Sequence, residues 1–341
     1  MDKKKVLITG ISGWIAQFCA VELIKSGFKV KGSLRDMSRK KEVQEALAKK
    51  VDIKDSLEFC ELDLLKDHGW DEAMSDCTYV MHVASPFVML EPDDENELIE
   101  PAKEGTLRAL RAAKKAKIKR VVITSSIAAM AAHIKVGRFD PSSWTNLTNK
   151  VTAYEKSKTI AEKAAWDFIE NQKGDHKLEL TVINPGGVMG PTLSPDIKCT
   201  SLDICVQLLT KKMPAIPNIS FTMVDVRDVA KHHLQAMTHE KANGKRIISA
   251  NETPTSMRSI AMLLKENGYD VPTKKLPTFM VKLMGLFDKQ AKGMIGFLDR
   301  HVTCDNSETI SLFNWKPTPL DKSFLDMAKS VQNVLDQQKN Q

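Results

Sequence analysis

TGISGWIA, residues 9–16, follows the apolar run KKVLI and leads into a stretch with helical spacing. Glycines at such a strand-to-helix junction let the backbone come close to a pyrophosphate. The positive end of the helix dipole then favours the phosphate charge. The pattern is G-x-x-G-x-x-A, with Ala16 as the small residue that lets the helix pack on the strand. Gly10, Ser12, Gly13, Trp14 and Ile15 are therefore the expected wall of a dinucleotide site. The alternative is a tight turn with no ligand.

The surrounding pattern extends this reading. WIAQFCAVELIKSG (14–27) has helical apolar spacing and ends on Gly27, a helix C-terminal signal. Further apolar runs at 28–35, 57–63, 79–85, 120–126, 178–186 and 245–250 read as strands separated by helical segments. SRKKEVQEALAKK (38–50) reads as a polar helix capped by Ser38, and 222–237 as a helix returning to the sheet. Strands alternating with helices predict an α/β fold, a doubly wound parallel sheet that binds ligands beyond the carboxyl ends of its strands. We expect a dinucleotide-binding Rossmann domain over residues 1–185, rejoined by 221–250. A smaller mixed substrate-binding region is expected over 186–220 and 251–330. The tail from Gln332 is polar and is expected to fray.

Composition narrows the function. The 341 residues are 42% hydrophobic and 27% charged, with a net charge of +7, a balance that suits a soluble globular chain. The densest basic run, RALRAAKKAKIKR (108–120), reads as a solvated helix face, because no nucleic-acid motif accompanies it. Six scattered cysteines lack C-x-x-C spacing, so neither a zinc site nor a disulfide framework is expected, and reduced thiols fit a cytoplasmic location. No apolar stretch approaches the roughly 20 residues of a bilayer span. MDKKK before VLITGISG imitates a secretion signal, but Gly10, Ser12 and Gly13 interrupt the apolar run.

The strand ends carry the chemistry. The second strand ends in SLRD, where an acid would hold a ribose 2′-hydroxyl and an arginine would suit a 2′-phosphate. Arg35 comes first, with Arg39, Lys40 and Lys41 behind it, so NADP(H) is expected; Asp36 leaves NAD as the alternative. Asp63, with Leu64 after it in ELDL, can accept from an adenine amino group, or can serve as a helix N-terminal acid. VTAYEKSK (151–158) sets Tyr154 and Lys158 on one helix face. A nearby ammonium favours the phenolate, so Lys158 is expected to lower the pKa of Tyr154. Tyrosine so tuned can exchange a proton with a carbonyl or alcohol oxygen. TSS (124–126) ends a strand on the same edge, and its period leaves open which serine faces the site.

TGISGWIA, LRD, ELDL, HVASPF, TSS, AYEKSKTIAEKAAW, NPGGVMGP and VDVRDVA occur in the order of an extended short-chain dehydrogenase/reductase. The chain resembles the dihydroflavonol reductase and cinnamoyl-CoA reductase branch over about residues 4–250. The resemblance implies a Ser–Tyr–Lys set: Ser126 (with Ser125 as the fallback), Tyr154 as general acid/base, and Lys158, which also holds the nicotinamide ribose. It implies that Ala84 and Ser85 line the cofactor and that Pro185, Gly187 and Val188 pack near the nicotinamide. Relatives often have asparagine where PAKEGT has Glu104, so a proton relay built on that asparagine is in doubt. The function implied is NADPH-dependent reduction of an aldehyde or ketone by a monomer or homodimer. Hydroxysteroid dehydrogenases and nucleotide-sugar epimerases use the same set, and a non-catalytic NADP sensor is the alternative of another class. The apolar Met and Phe residues of the C-terminal region, MVKLMGLF (280–287) among them, and the lack of an evident phosphate cradle there favour a small or apolar substrate over a sugar nucleotide.

Overall fold

The computed structural model describes residues 4–85 and 92–339. Pro86 and Phe87 of HVASPF lie outside the described residues. In chain order the first half comprises β1 (Lys5–Ile8), α1 (Trp14–Lys25), β2 (Lys29–Leu34), α2 (Lys40–Ala48), β3 (Leu57–Glu61), α3 (Trp70–Met74), β4 (Tyr79–His82), α4 (Asn96–Lys115), β5 (Arg120–Thr124), α5 (Ala128–Ala131), β6 (Val136–Phe139), α6 (Ala153–Glu170) and β7 (Glu179–Pro185). The second half comprises β8 (Gly187–Met189), α7 (Thr200–Leu209), β9 (Ile216–Pro217), β10 (Ser220–Phe221), β11 (Met223–Asp225), α8 (Val226–Thr238), β12 (Arg246–Ser249), β13 (Thr255–Ser256), α9 (Met257–Glu266), β14 (Lys275–Leu276), α10 (Thr278–Met284), α11 (Lys289–Met294), β15 (His301–Cys304), α12 (Ser307–Phe313) and α13 (Leu320–Lys339).

Seven strands form one parallel sheet in the order β12-β7-β5-β4-β1-β2-β3. These are the seven strands expected from the apolar runs. Alternation along β1 explains the two-sided core. Val6 and Ile8 enter one layer with Leu23 of α1, Leu47 of α2 and Val229 of α8. Leu7 enters the other with Met74 of α3, Leu110 of α4 and Ala165 of α6. Successive side chains of a strand point to opposite faces, and a parallel sheet covered on both sides needs both to be apolar. The strand order reverses at β1, which has β2 on one side and β4 on the other, so the crevice lies between their carboxyl ends.

A further apolar cluster joins Met189, Leu202, Met223, Ile260, Phe324 and Val331. It gathers residues from both segments assigned to the second region. The short strand pairs β8–β11, β9–β14 and β10–β13 lie in this half, and β6 pairs with β15. Among the described residues, no helix is long and apolar enough to cross a membrane. All six cysteines are free.

Several local expectations are corrected. The stretch 222–237 is not helical throughout: Met223–Asp225 is a strand on β8, and the helix begins at Val226, where Asp225 caps Arg227. Ser38 does not cap α2; its own backbone amide is capped by Asp36. The tail does not fray at Gln332, because α13 continues to Lys339 with Val331 and Val334 buried. The basic run at 108–120 spends its charge locally. Arg108 pairs with Asp67, Lys115 with Asp71, and buried Arg120 with Glu179 at 2.7 Å.

Candidate active site

The glycine turn is shaped by its neighbours. Gly10 has φ +66°, and a Cβ there would lie 2.9 Å from the Cβ of Ala84. Only glycine accepts both the left-handed backbone and that approach. The Gly10 amide donates to Ser33 Oγ at 3.0 Å, and Ile11 N to Ser33 O at 3.0 Å, which anchors the turn to β2. Thr9 ties it to β4: its Oγ1 accepts from Ala84 N at 3.0 Å and meets His82 Nδ1 at 3.1 Å. Gly13 is the N-cap of α1 and has no side chain to occupy the first-turn amides. A cradle of close backbone with uncapped helix amides fits a pyrophosphate. Trp14 Nε1 donates to Pro191 O at 2.8 Å, linking this turn to the second half. Ile15 packs against the main core.

Beyond β2, Arg35 is exposed and, among the described residues, its side chain is in no hydrogen bond or ion pair. Lys40 is exposed too, its ammonium 5.6 Å from the Phe59 ring centroid. Arg39 differs from them. It forks onto Glu42 at 3.0 and 2.8 Å and reaches Asp196 at 2.7 Å, so it fastens this loop to residues 191–196. Asp36 turns to Ser38, a contact that holds its carboxyl below the usual range. Asp63 Oδ1 accepts from Leu65 N at 3.0 Å, and Leu64 packs beside Gly105 of α4. Glu104 is half-exposed and 3.7 Å from Arg111, directed into surface ion pairing. Ala84 and Ser85 border a small cavity of about 20 Å³ that Lys158 also lines.

A capping box fixes the start of α6. Thr152 Oγ1 accepts from Glu155 N at 3.2 Å, and Glu155 Oε2 accepts from Thr152 N at 2.7 Å. Tyr154 thus sits in the first turn, with Lys158 one turn later on the same face. Lys158 Nζ is 5.9 Å from the Tyr154 ring centroid and 3.4 Å from Thr124 O. The two serines differ in what they face. Ser126 hydrogen-bonds the Tyr154 side chain, whereas Ser125 Oγ donates to buried Glu162 at 2.5 Å.

The electrostatics depart from the sequence-based expectation. Tyr154 is not depressed: burial raises it, and the Ser126 hydrogen bond opposes that only in part. Lys158 bears the larger change. Burial pushes it down to about 8, against an opposing pull from Glu162. His82 is pushed down to about 4, first by burial and then by Lys158, so it is neutral at pH 7. The reason is desolvation, which disfavours phenolate and ammonium alike.

Pro185 and Gly187 continue the edge. Gly186 allows β7 to pass the Thr222 carbonyl, which a Cβ would meet at 2.3 Å, and Gly187 N donates to that carbonyl at 2.9 Å. Val188 is buried in the main core. The sequence reading did not single out Glu162, Arg246, Asn184, Thr9 or Ser33. Glu162 alone had a local signal, standing four residues after Lys158 on the Tyr154 face.

A family model described as the NAD dependent epimerase/dehydratase family matches residues 6–250. The NADPH-dependent methylglyoxal reductase of Saccharomyces cerevisiae is 32% identical over 90% of this chain and 97% of its own length. A cinnamoyl-CoA reductase of Medicago truncatula is 36% identical over 70% of this chain and 74% of that protein. The crystal structure of yeast methylglyoxal/isovaleraldehyde reductase complexed with NADPH superimposes with a TM-score of 0.80 at 28% identity, covering 97% of this chain and 99% of that one. With its seven-stranded sheet, glycine turn and Tyr154–Lys158 helix, the chain belongs to the NAD dependent epimerase/dehydratase family, the extended short-chain dehydrogenases/reductases.

Proposed function

We propose that this protein reduces an aldehyde or ketone carbonyl to an alcohol with NADPH. The observation that carries the reading is the grouping of Ser126, Tyr154 and Lys158 beside the glycine turn. Gly10, Ser12, Gly13, Trp14 and Ile15 would hold the pyrophosphate end. Arg35 and Lys40, exposed and in no ion pair among the described residues, would meet a 2′-phosphate, with Asp63 and Leu64 at the adenine. Ala84, Ser85, Pro185, Gly187 and Val188 would line the nicotinamide half, and Lys158 the ribose. NADPH, when bound, supplies the hydride.

The chain's own residues handle the oxygen. Ser126 orients the carbonyl oxygen and donates a hydrogen bond to it. Tyr154 delivers its phenolic proton to that oxygen as negative charge develops there. A phenol kept protonated by burial suits a donor in the direction of reduction. The Lys158 ammonium stabilises the phenolate left behind. Residues 1–185 with 221–250 form the dinucleotide-binding part in this reading, and 186–220 with 251–330 enclose the substrate. The apolar Met, Leu and Phe content of residues 251–330 favours a small or apolar carbonyl, although Met280, Leu283, Met284, Leu286 and Phe287 of the 280–287 stretch are exposed. The same reading makes the protein a monomer or homodimer, and six free thiols suit the cytoplasm.

The test is NADPH oxidation against methylglyoxal, branched aldehydes, aromatic aldehydes and flavonoid-like ketones. Turnover should appear with at least one, and Tyr154→Phe should lower kcat by about 10²–10⁴-fold while NADPH still binds. Binding without oxidation across the panel, or epimerisation of a sugar nucleotide without net NADPH loss, would overturn the reading.

A further inference from the structure

Glu162 lies four residues after Lys158 and eight after Tyr154 on α6, on the face that carries both. It is 1% exposed. Four donors converge on its two oxygens: Ser125 Oγ at 2.5 Å and Asn184 Nδ2 at 2.7 Å on Oε2, and Arg246 Nε at 2.5 Å and Trp166 Nε1 at 3.4 Å on Oε1. This is the pattern of a carboxylate anion, which only accepts. Arg246 is fixed in turn. Its Nη1 donates to Pro141 O at 2.9 Å and Ser143 O at 2.5 Å, and its guanidinium stacks 3.7 Å from the Trp144 ring centroid. A buried ion pair of this kind costs desolvation and is weak evidence for stability. Its position beneath the Ser–Tyr–Lys group calls for another account.

The surroundings of Lys158 supply it. From β5 comes the Thr124 carbonyl, from β4 the neutral His82, and from its own helix Tyr154 and Glu162. From α4, Ala102 and Thr106 face the same cavity, and neither is charged. Tyr154 in turn is faced by Ser126 and by Glu155. Glu162 is thus the anion that faces the Lys158 ammonium among the described residues. Its other oxygen contacts hold the strand end. Ser125 borders the cavity beside Lys158, but its hydroxyl is committed to Glu162, and Asn184, which donates to Glu162, also donates to Ser126 O at 3.2 Å.

We propose that Glu162 is a positioning residue for the carbonyl reduction argued above, holding Lys158 as the cation and steering Ser125 so that Ser126 alone meets the substrate. Arg246 tempers this anion and keeps it oriented. In this role both residues act through other side chains. The inference rests on the reductase reading, but its electrostatic half can be measured without turnover.

The experiment follows Lys158 by NMR in protein carrying ¹³C at the lysine Cε positions, its signal assigned by loss in Lys158→Met. Glu162→Gln removes the anion. The double variant Glu162→Gln/Arg246→Met also removes the guanidinium that would otherwise lose its buried counter-charge, and it keeps the test open if the single variant does not fold. The Lys158 midpoint should fall by about one pH unit in the double variant. The alkaline limb of kcat against pH should move with it, because the neutral amine forms earlier. A folded double variant whose midpoint stays within about 0.3 pH units of the parent would overturn the proposal. So would a midpoint that moves while the kcat limb stays put. A parent protein that reduces no carbonyl would sink the reductase reading, and the midpoint would still judge whether Glu162 holds the cation.

Discussion

Ser126 hydrogen-bonds Tyr154 across the carboxyl edge of the sheet. Its neighbour Ser125 is 6% exposed and bonded to Glu162 instead. The two hydroxyls differ by one residue and by everything around them. Ser126→Ala should therefore lower kcat by about 10²–10³-fold, the usual effect of losing one donor to a developing oxyanion. Ser125→Ala leaves the carboxylate one donor short and should cost about 1–3 kcal/mol of stability instead. Steady-state kinetics and urea unfolding on both variants check this. Equal kinetic losses from the two would contradict the assignment.

Cofactor preference is a second test. Arg35 and Lys40 are exposed and in no ion pair among the described residues, while Arg39 is committed to Glu42 and Asp196. Charge-assisted hydrogen bonds to phosphate contribute about 1.5–3 kcal/mol each. Arg35→Ala should then raise KM for NADPH by about 10–100-fold and leave the NADH values nearly unchanged. Arg39→Ala should do less to KM and more to stability, since it unfastens residues 191–196. A parent enzyme equally efficient with NADH would refute the preference.

How far the sequence alone carries follows from where each signal is held. Seven strands were legible because each is an apolar run bounded by glycine or a polar turn. Tyr154, Lys158 and Gly10 were legible because their relation to neighbours is local: one helix turn, or one strand-to-helix junction. Ser125 against Ser126 was not, since the strand ends at Thr124 and the chain then leaves the alternating pattern. The Glu162–Arg246 pair joins residues 84 apart in sequence, and no local period announces it. The strands β8, β9, β10, β11, β13 and β14 have two or three residues each, too short to leave a periodicity. The depression of Lys158 was missed because burial, rather than spacing, causes it.

Acid should destabilise the fold through its buried histidines. His82, His232 and His233 are pushed down to about 4, 3 and 4, in each case mainly by burial. Their folded values lie below the unfolded value near 6.5. The unfolded chain therefore takes up protons first as pH falls. The stability these groups contribute is complete above about pH 6.5 and is lost as pH drops through 4, each group giving up to about 1.4 kcal/mol per pH unit in that window. Urea unfolding should give a plateau near neutrality and a decline that begins around pH 6.5. Stability that stays flat from pH 7 to pH 4.5 would show that these histidines charge freely in the folded state.

Lys158 should trade stability for activity. Its folded value of about 8 lies below its unfolded value near 10.5. Below pH 8 both states carry the proton, and the folded state bears the full cost of burying it. Between 8 and 10.5 the unfolded chain holds a proton that the folded chain has released, so stability rises with pH across that window. Lys158→Met keeps the length of the side chain and removes the charge, while Glu162 retains its four donors. At pH 7 the variant should be more stable than the parent by about 2–3 kcal/mol, and the gap should narrow by pH 9.5. Turnover should fall by about 10²-fold or more, since nothing then steadies the Tyr154 phenolate. Urea unfolding at the two pH values, with kcat measured alongside, decides the matter. A variant less stable than the parent at pH 7 would mean that the Lys158–Glu162 attraction exceeds the burial cost, which reverses the balance argued here.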